Sequence, residues 1–150
     1  MTKTNSTKTG TTMTTKTTTT EQMVREFHRA AGLKLPDHPT REVDEHFLDP
    51  KTRQAFLDEE VQELREAEDA GDLVEIADAV ADIVYFAVGT AITYGIPFDR
   101  VFAEVHRSNM TKFGPDGPWR VRDDGKILKD HHFEPPRITE ILMTNNREDR

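Results

Sequence analysis

Six carboxylates recur at helical spacing on two consecutive segments that the sequence predicts to be apolar helices. They are Glu59, Glu60, Glu63, Glu75, Asp78 and Asp82. At about 100° per residue, the first three span an arc of roughly 100° and the last three roughly 60°, and both arcs border apolar side chains. Like charges taken out of water repel each other and are costly to desolvate. The pattern therefore predicts a cation that holds these side chains together.

The residues around these acids narrow the choice of cation. No basic residue lies between Gly71 and Tyr94, so the segment that contains Glu75, Asp78 and Asp82 offers these acids no ionic partner. The alternative interpretation is a solvated acidic face, and it applies more readily to the segment that contains Glu59, Glu60 and Glu63. Di-iron bundles carry Glu-x-x-His pairs on their helices, and no Glu in this sequence is followed three residues later by His. Ligation by carboxylates alone favours Mg²⁺, with Mn²⁺ as the second choice.

Composition excludes several classes of function. A net charge of −8 over 150 residues argues against a protein that binds a nucleic-acid polymer. The absence of cysteine excludes disulfides, thiolate metal sites and cysteine catalysis, and it suits a cytoplasmic location. The longest apolar stretch, residues 79–92, is interrupted by Asp82, so we expect no membrane span.

The chain divides into one domain and two tails. Residues 1–20 are rich in Thr and Lys, have almost nothing apolar to bury, and are predicted to be disordered. Residues 21–143 form the predicted domain, and residues 144–150 form a polar tail.

Helix-stop residues and apolar periodicity place five helices in the domain. Met23, Phe27, Ala30 and Ala31 form an apolar stripe on the first helix. Asp49 before Pro50 predicts a capped start for the second, and Gly71-Asp72 separates it from the third. The predicted helices cover residues 21–31, 50–70, 73–94, 99–110 and 138–143, with a small hairpin around Asp123-Asp124-Gly125.

The motif Glu59-Glu60-x-x-Glu63, followed on the next helix by an acidic motif ending Asp82-Ile-Val-Tyr, resembles the all-α nucleoside triphosphate pyrophosphohydrolases. These include MazG-like proteins, dimeric dUTPases and phosphoribosyl-ATP pyrophosphohydrolases. The likeness continues through residues 101–129 and looks there most like the compact MazG-like branch. It covers roughly residues 21–142 and implies an all-α, four- to five-helix MazG-like bundle with a short C-terminal hairpin or extension.

The resemblance also assigns roles to the acids. The family pattern is Glu-Glu-x-x-Glu followed by Glu-x-x-Asp, and alignment through Asp82 puts Ala79 where the later Glu belongs. The implied metal ligands are Glu60, Glu63 and Asp82, and either Asp78 or Glu75 completes the set. Glu59 is implied as a further ligand or as the base that activates water.

The implied reaction is Mg²⁺-dependent hydrolysis of a (d)NTP to the monophosphate and pyrophosphate, with dUTP, dCTP or aberrant nucleotides as substrates. Phosphoribosyl-ATP is the alternative substrate. A non-catalytic module that senses nucleotide or metal is an alternative of another class, which Ala79 makes credible.

Basic residues after the helical core are implied to bind the substrate phosphates. The expected substrate-binding residues are Arg107, Asn109, Lys112 and Lys129. Ordinary solvated lysines, and a helix C-cap for Asn109, are the alternatives. The third helix is apolar on nearly every side, so we expect self-association as a homodimer or homotetramer in which partner helices cover it.

Overall fold

A computed structural model describes residues 17–43 and 49–144, and five α-helices account for most of this part of the chain. They are α1 (Thr20–Ala30), α2 (Pro50–Ala70), α3 (Leu73–Thr93), α4 (Phe98–Met110) and α5 (Ile138–Thr144). The predicted all-α fold is confirmed. Most of the predicted tails, residues 1–16 and 145–150, lies outside the described residues.

Local signals set the ends of α2 and α3. Asp49 Oδ1 accepts hydrogen bonds from the backbone N–H of Lys51 at 2.8 Å and of Thr52 at 3.1 Å. Gly71 ends α2 in the left-handed conformation, with φ 67°, which a residue with a Cβ rarely adopts. Asp72 then caps α3 at once, so the two long helices are joined by two residues and pack antiparallel.

The packing of α2 on α3 follows one continuous register. Near the start of α2, Arg53 lies beside Gly89, since a Cβ built on Gly89 would be 3.6 Å from Arg53 Nη1. One turn further along, the rings of Phe56 and Phe86 lie 5.4 Å apart. The carboxylate of Glu60, another turn on, interacts with that of Asp82. Each step forward on α2 is thus matched by an equal step backward on α3.

The central apolar cluster joins α1 to α3. Val24, Val88 and Ile92 are fully buried. The apolar stripe of α1 is not the most buried side of this helix, since Met23 is 48% exposed and Phe27 is 59% exposed. The buried face of α1 consists instead of Glu21, Val24 and His28.

A long-range hydrogen bond explains why a glutamate is buried on α1. Glu21 Oε2 accepts from the backbone N–H of Asp99 at 2.8 Å, and Arg25 donates to Glu21 Oε1 at 2.8 Å. Pro97, at the start of α4, makes no side-chain capping bond of its own. Glu21 therefore caps α4 from another helix, which satisfies a backbone donor that would otherwise lack a partner.

Only part of the apolar surface of α3 is covered. Leu73, Val74, Val80 and Val84 are exposed by 77%, 74%, 45% and 44%. Among the described residues, Leu73–Thr93 is the one helix whose length and apolarity would allow it to cross a membrane. Core helices of soluble proteins meet the same criterion, and this helix packs against α1 and α2.

The segment after α4 is held by small turns and ion pairs. Two-residue strands, β1 (Phe113–Gly114) and β2 (Gly117–Pro118), pair antiparallel where the sequence indicated only a break. The predicted hairpin around Asp123-Asp124-Gly125 forms, with Val121 bridged to Ile127. Trp119 packs on Gly114 and stacks on His132 with ring centroids 4.1 Å apart.

Candidate active site

The register of α2 and α3 brings five of the six predicted acids together. Burial raises the pKa of Glu60 above its ordinary value, and repulsion from neighbouring carboxylates raises this pKa further. In decreasing order of effect, these neighbours are Glu63, Asp82, Glu59 and Asp78. We call Glu59, Glu60, Glu63, Asp78 and Asp82 the acid cluster. Glu75 is not among the residues that act on Glu60.

The acid cluster lines a surface between the helices and is not enclosed in the interior. Glu60 and Asp82 are half-buried, whereas Glu59, Glu63 and Asp78 are exposed. None of the five forms a salt bridge within the described part of the chain. Arg65 donates instead to Gln62 on the other side of α2. The negative charge of this surface is therefore uncompensated by cations of the described residues.

Ala79, which replaces the glutamate of the family pattern, is buried with 4% of its surface exposed. Its methyl group cannot ligate a cation. Asp78 and Asp82 flank it on the same helix and both act on Glu60. The carboxylates of α3 that act on Glu60 of α2 therefore belong to Asp78, one residue before Ala79, and to Asp82, three residues after it.

Arg107 takes part in a network of ion pairs with two carboxylates. Its Nε donates to Glu104 Oε2 at 2.9 Å, and its Nη1 donates to Glu134 Oε2 at 2.7 Å. Hydrogen bonds from Arg107 and from the backbone N–H of Arg137 lower the pKa of Glu104 to about 2. Arg107 therefore fastens the chain after the hairpin to α4.

Of the other three predicted substrate-binding residues, two lysines lie beside one aromatic ring and the asparagine contacts one of these lysines. Lys112 Nζ lies 5.8 Å and Lys129 Nζ 4.5 Å from the centroid of the Phe133 ring. Asn109 Oδ1 accepts from Lys112 Nζ at 2.7 Å. Thr111, and not Asn109, is the C-cap of α4. The predicted cations from two distant stretches of sequence thus form one basic surface.

A second group of potential metal ligands lies in the C-terminal segment. Within the described ranges, only Asp130, His131 and His132 bring three such ligand atoms within 4.8 Å of one another. Both histidines are exposed, and Asp130 Oδ2 lies 3.1 Å from His132 Nδ1. The carboxylates of the acid cluster do not converge to this distance in this structure.

Sequence reasoning missed two buried polar residues that face each other across Gly89. Arg53 is 5% exposed and His28 is 6% exposed. A helical wheel places Arg53 between Glu60 and Leu64, on the core side of α2, which is a signal that the sequence does contain. No comparable signal marks His28, because the apparent apolar stripe of α1 points elsewhere.

A cluster of unpaired carboxylates can hold a divalent cation and, through it, the phosphates of a nucleotide. None of the curated proteins compared with the chain matches it. A family model described as phosphoribosyl-ATP pyrophosphohydrolase matches residues 24–109, which is more than half of the chain. The match spans α2, α3 and the whole acid cluster. The chain therefore belongs to the phosphoribosyl-ATP pyrophosphohydrolase family, within the all-α nucleoside triphosphate pyrophosphohydrolase superfamily.

Proposed function

We propose that the protein hydrolyses the triphosphate chain of a nucleotide between the α- and β-phosphates and releases pyrophosphate. The observation that supports this most directly is the acid cluster, which has no ion pair with any residue that the structure describes and lies within the region matched by the family model. Repulsion within the cluster disfavours the charged form of Glu60, and a bound cation would remove that cost.

The residues fit Mg²⁺ better than a softer metal, because the donors are all carboxylate oxygens. Glu60, Glu63 and Asp82 would hold the ion, and Asp78 would complete the set in preference to Glu75, which does not act on Glu60. When bound, Mg²⁺ or Mn²⁺ would neutralise charge on the phosphates and on the departing pyrophosphate.

Glu59 is the carboxylate that we propose as the general base. It lies next to Glu60 on α2 and is exposed, so that water reaches it. It would orient a water molecule and accept its proton while the oxygen attacks the α-phosphorus. The bond from that phosphorus to the bridging oxygen then breaks, and pyrophosphate leaves.

Two substrates are supported by different parts of the chain. The family match over residues 24–109 favours phosphoribosyl-ATP. The stretch of residues 101–129, most of which lies outside that match, resembles the MazG-like branch and favours a (d)NTP such as dUTP or dCTP. In either case we propose that Asn109, Lys112 and Lys129 contact the outer phosphates, and that Arg107 positions this segment.

We further propose that the protein acts as a homodimer or homotetramer in the cytoplasm. Val80 and Val84 on α3 and Met23 on α1 line a groove of about 350 Å³, and each is more than 40% exposed. Its wall is almost wholly apolar, which favours a second copy of the chain over water as its neighbour.

Product analysis tests the function directly. The protein is incubated with phosphoribosyl-ATP and with a panel of NTPs and dNTPs including dUTP, with and without Mg²⁺. Monophosphate plus pyrophosphate, formed only with the metal, is the expected result. Diphosphate plus phosphate would contradict the proposed bond cleavage. Tight nucleotide binding without any product would favour the sensing module.

A further inference from the structure

Three potential metal ligands meet at a tight turn that follows the hairpin. The backbone N–H of Phe133 donates to the carbonyl oxygen of Asp130 at 3.2 Å, so residues 130–133 close a four-residue turn. The backbone N–H of His132 donates to Asp130 Oδ1 at 2.9 Å and holds this carboxylate against the turn. Consecutive side chains of a strand point to opposite faces, whereas this turn brings Asp130, His131 and His132 together.

The distances between the ligand atoms fit a tetrahedral metal site. Asp130 Oδ2 lies 3.1 Å from His132 Nδ1 and 3.6 Å from His131 Nδ1. One ligand atom of each residue lies within 4.8 Å of those of the other two. Two ligands of a tetrahedral Zn²⁺ ion, each about 2.0–2.1 Å from the metal, are about 3.3 Å apart. The carboxylate oxygen is therefore placed correctly relative to both nitrogens for one shared ion.

A stack of rings fixes the orientation of one of the two histidines. The ring of His132 stacks on Trp119 with a centroid distance of 4.1 Å and an interplanar angle of 15°. The ring of His131 lies against that of His132, with centroids 3.9 Å apart. Trp119 is itself seated on Gly114, where a Cβ would lie 2.5 Å from Trp119 Cη2. His132 is thus held in place without a metal, which lowers the entropic cost of binding one.

The chain directly after the turn is fixed to α4. Ser108, which is buried, donates from Oγ to the carbonyl oxygen of Glu134 at 2.7 Å. The backbone N–H of Glu134 donates to Thr111 Oγ1 at 2.9 Å. The side chain of Asp130 is only 15% exposed. The three ligands therefore belong to a turn that is held by Trp119 on one side and by α4 on the other.

This ligand set differs in kind from that of the acid cluster. Two imidazole nitrogens and one carboxylate oxygen suit Zn²⁺ and related divalent transition metals, whereas Mg²⁺ prefers oxygen ligands in an octahedral arrangement. A neutral imidazole offers the lone pair of Nδ1 when its proton is on Nε2, so both rings can bind without a change of charge. Three protein ligands leave one position of a tetrahedral ion open to water or to an anion.

We propose that Asp130, His131 and His132 bind Zn²⁺, in a site that shares no residue with the acid cluster. The ligands would be Asp130 Oδ2 and the Nδ1 atoms of His131 and His132, and water would complete the tetrahedron. The site lies outside residues 24–109 and therefore outside the family match. The inference does not depend on the proposed hydrolysis, and it adds a second metal with a different ligand chemistry.

Trp119, the only tryptophan of the chain, is a local reporter for this site because its ring stacks on a ligand. The full-length protein is titrated with Cu²⁺, which favours imidazole ligands and quenches tryptophan fluorescence at short range. No nucleotide is present, so failure of the proposed hydrolysis does not affect the reading. We expect saturable quenching that an excess of Zn²⁺ reverses and that the same excess of Mg²⁺ does not.

Two variants each remove one ligand and keep Trp119 stacked on His132. They are Asp130→Asn, which retains the Oδ1 acceptor of the turn, and His131→Asn. His106→Gln, at an exposed histidine of α4 outside the ligand set, is the matched control. Calorimetric titration with Zn²⁺, in excess Mg²⁺, should give an affinity about tenfold or more lower in both ligand variants and unchanged in the control. The acid cluster is identical in all four proteins, so any Zn²⁺ that binds there contributes equally.

The thermal midpoint gives an independent reading of the same site. Because a metal stabilises the state that binds it, Zn²⁺ should raise the midpoint of wild type and of His106→Gln more than that of Asp130→Asn or His131→Asn. Circular dichroism of the metal-free variants verifies that each is folded. Equal Zn²⁺ affinity, equal quenching and equal rises of the midpoint in all four proteins would overturn the proposal. A response of wild type that does not saturate by about millimolar Zn²⁺ would also overturn it.

Discussion

Individual carboxylates of the acid cluster act on one another through charge, because none has a cationic partner within the described residues. The sequence indicated this correctly for α3, where no Lys or Arg is present. It did not show how far each acid is buried, since burial depends on the neighbouring helices. Of the five acids in the cluster, Glu60 and Asp82 are half-buried, and the other three are exposed.

Glu60→Gln is expected to lower kcat at least about 100-fold, because it removes a ligand charge and keeps the shape of the side chain. Glu68→Gln, on an exposed part of α2 outside the cluster, is the matched control. Circular dichroism verifies that both variants remain helical, and pyrophosphate release measures the rate. Wild-type turnover by Glu60→Gln would remove this residue from the metal site.

Asp82→Asn is expected to raise the melting temperature of the metal-free protein by a few degrees, because it relieves repulsion with Glu60. Asp58→Asn, on the outer side of α2, should leave the midpoint close to that of wild type. Scanning calorimetry in the presence of a chelator provides the comparison. A large decrease for Asp82→Asn would indicate that Asp82 has a structural hydrogen bond.

The helical elements show where sequence reasoning succeeds and where it stops. Asp49-Pro50 and Gly71-Asp72 place the ends of α2 and α3 correctly, because capping depends on neighbours in sequence. The burial of Glu21 on α1 could not be predicted from neighbouring residues, because its hydrogen-bond partner Asp99 is 78 residues away along the chain. His28 was missed because its environment comes from the packing of neighbouring helices and a loop, whereas the helical wheel of α2 does place Arg53 on the core side.

Helix α4 binds the C-terminal segment through Glu104, and the contribution of Glu104 to stability should depend on pH. The pKa of Glu104 is lowered from an ordinary 4.5 to about 2, so its charged form is favoured by folding. Its stabilising contribution is complete above pH 4.5 and disappears as the pH falls through about 2. The free energy of urea unfolding should therefore differ most between wild type and Glu104→Gln at neutral pH.

That difference should shrink progressively as the pH is lowered from 4.5 toward 2. Glu140→Gln, on the exposed side of α5, is the control and should follow wild type throughout. A gap between wild type and Glu104→Gln that stays constant with pH would show that the carboxylate charge of Glu104 is not what fastens the segment.

At the scale of the whole molecule, the groove between α1 and α3 contains part of the exposed apolar surface of α3, including Val80 and Val84. Val84→Glu, at a position 44% exposed, should yield a monomer, because a charge cannot be buried against a second copy without a partner. Val121→Glu, 49% exposed and in the hairpin, should keep the wild-type assembly. Light scattering coupled to size exclusion measures the masses, and equal masses for all three proteins would contradict self-association through this groove.

The two-residue connection at Gly71-Asp72 also limits how this protein can vary in length. Because α2 ends and α3 begins at this turn, one residue inserted into the first turn of α3 would rotate the rest of that helix by about 100° and turn Asp82 away from Glu60. The same insertion would separate Gly89 from Arg53, so one change in length would disturb both ends of the contact between α2 and α3. Homologues that share the chemistry should therefore differ in the loop of residues 33–43 far more often than in this turn.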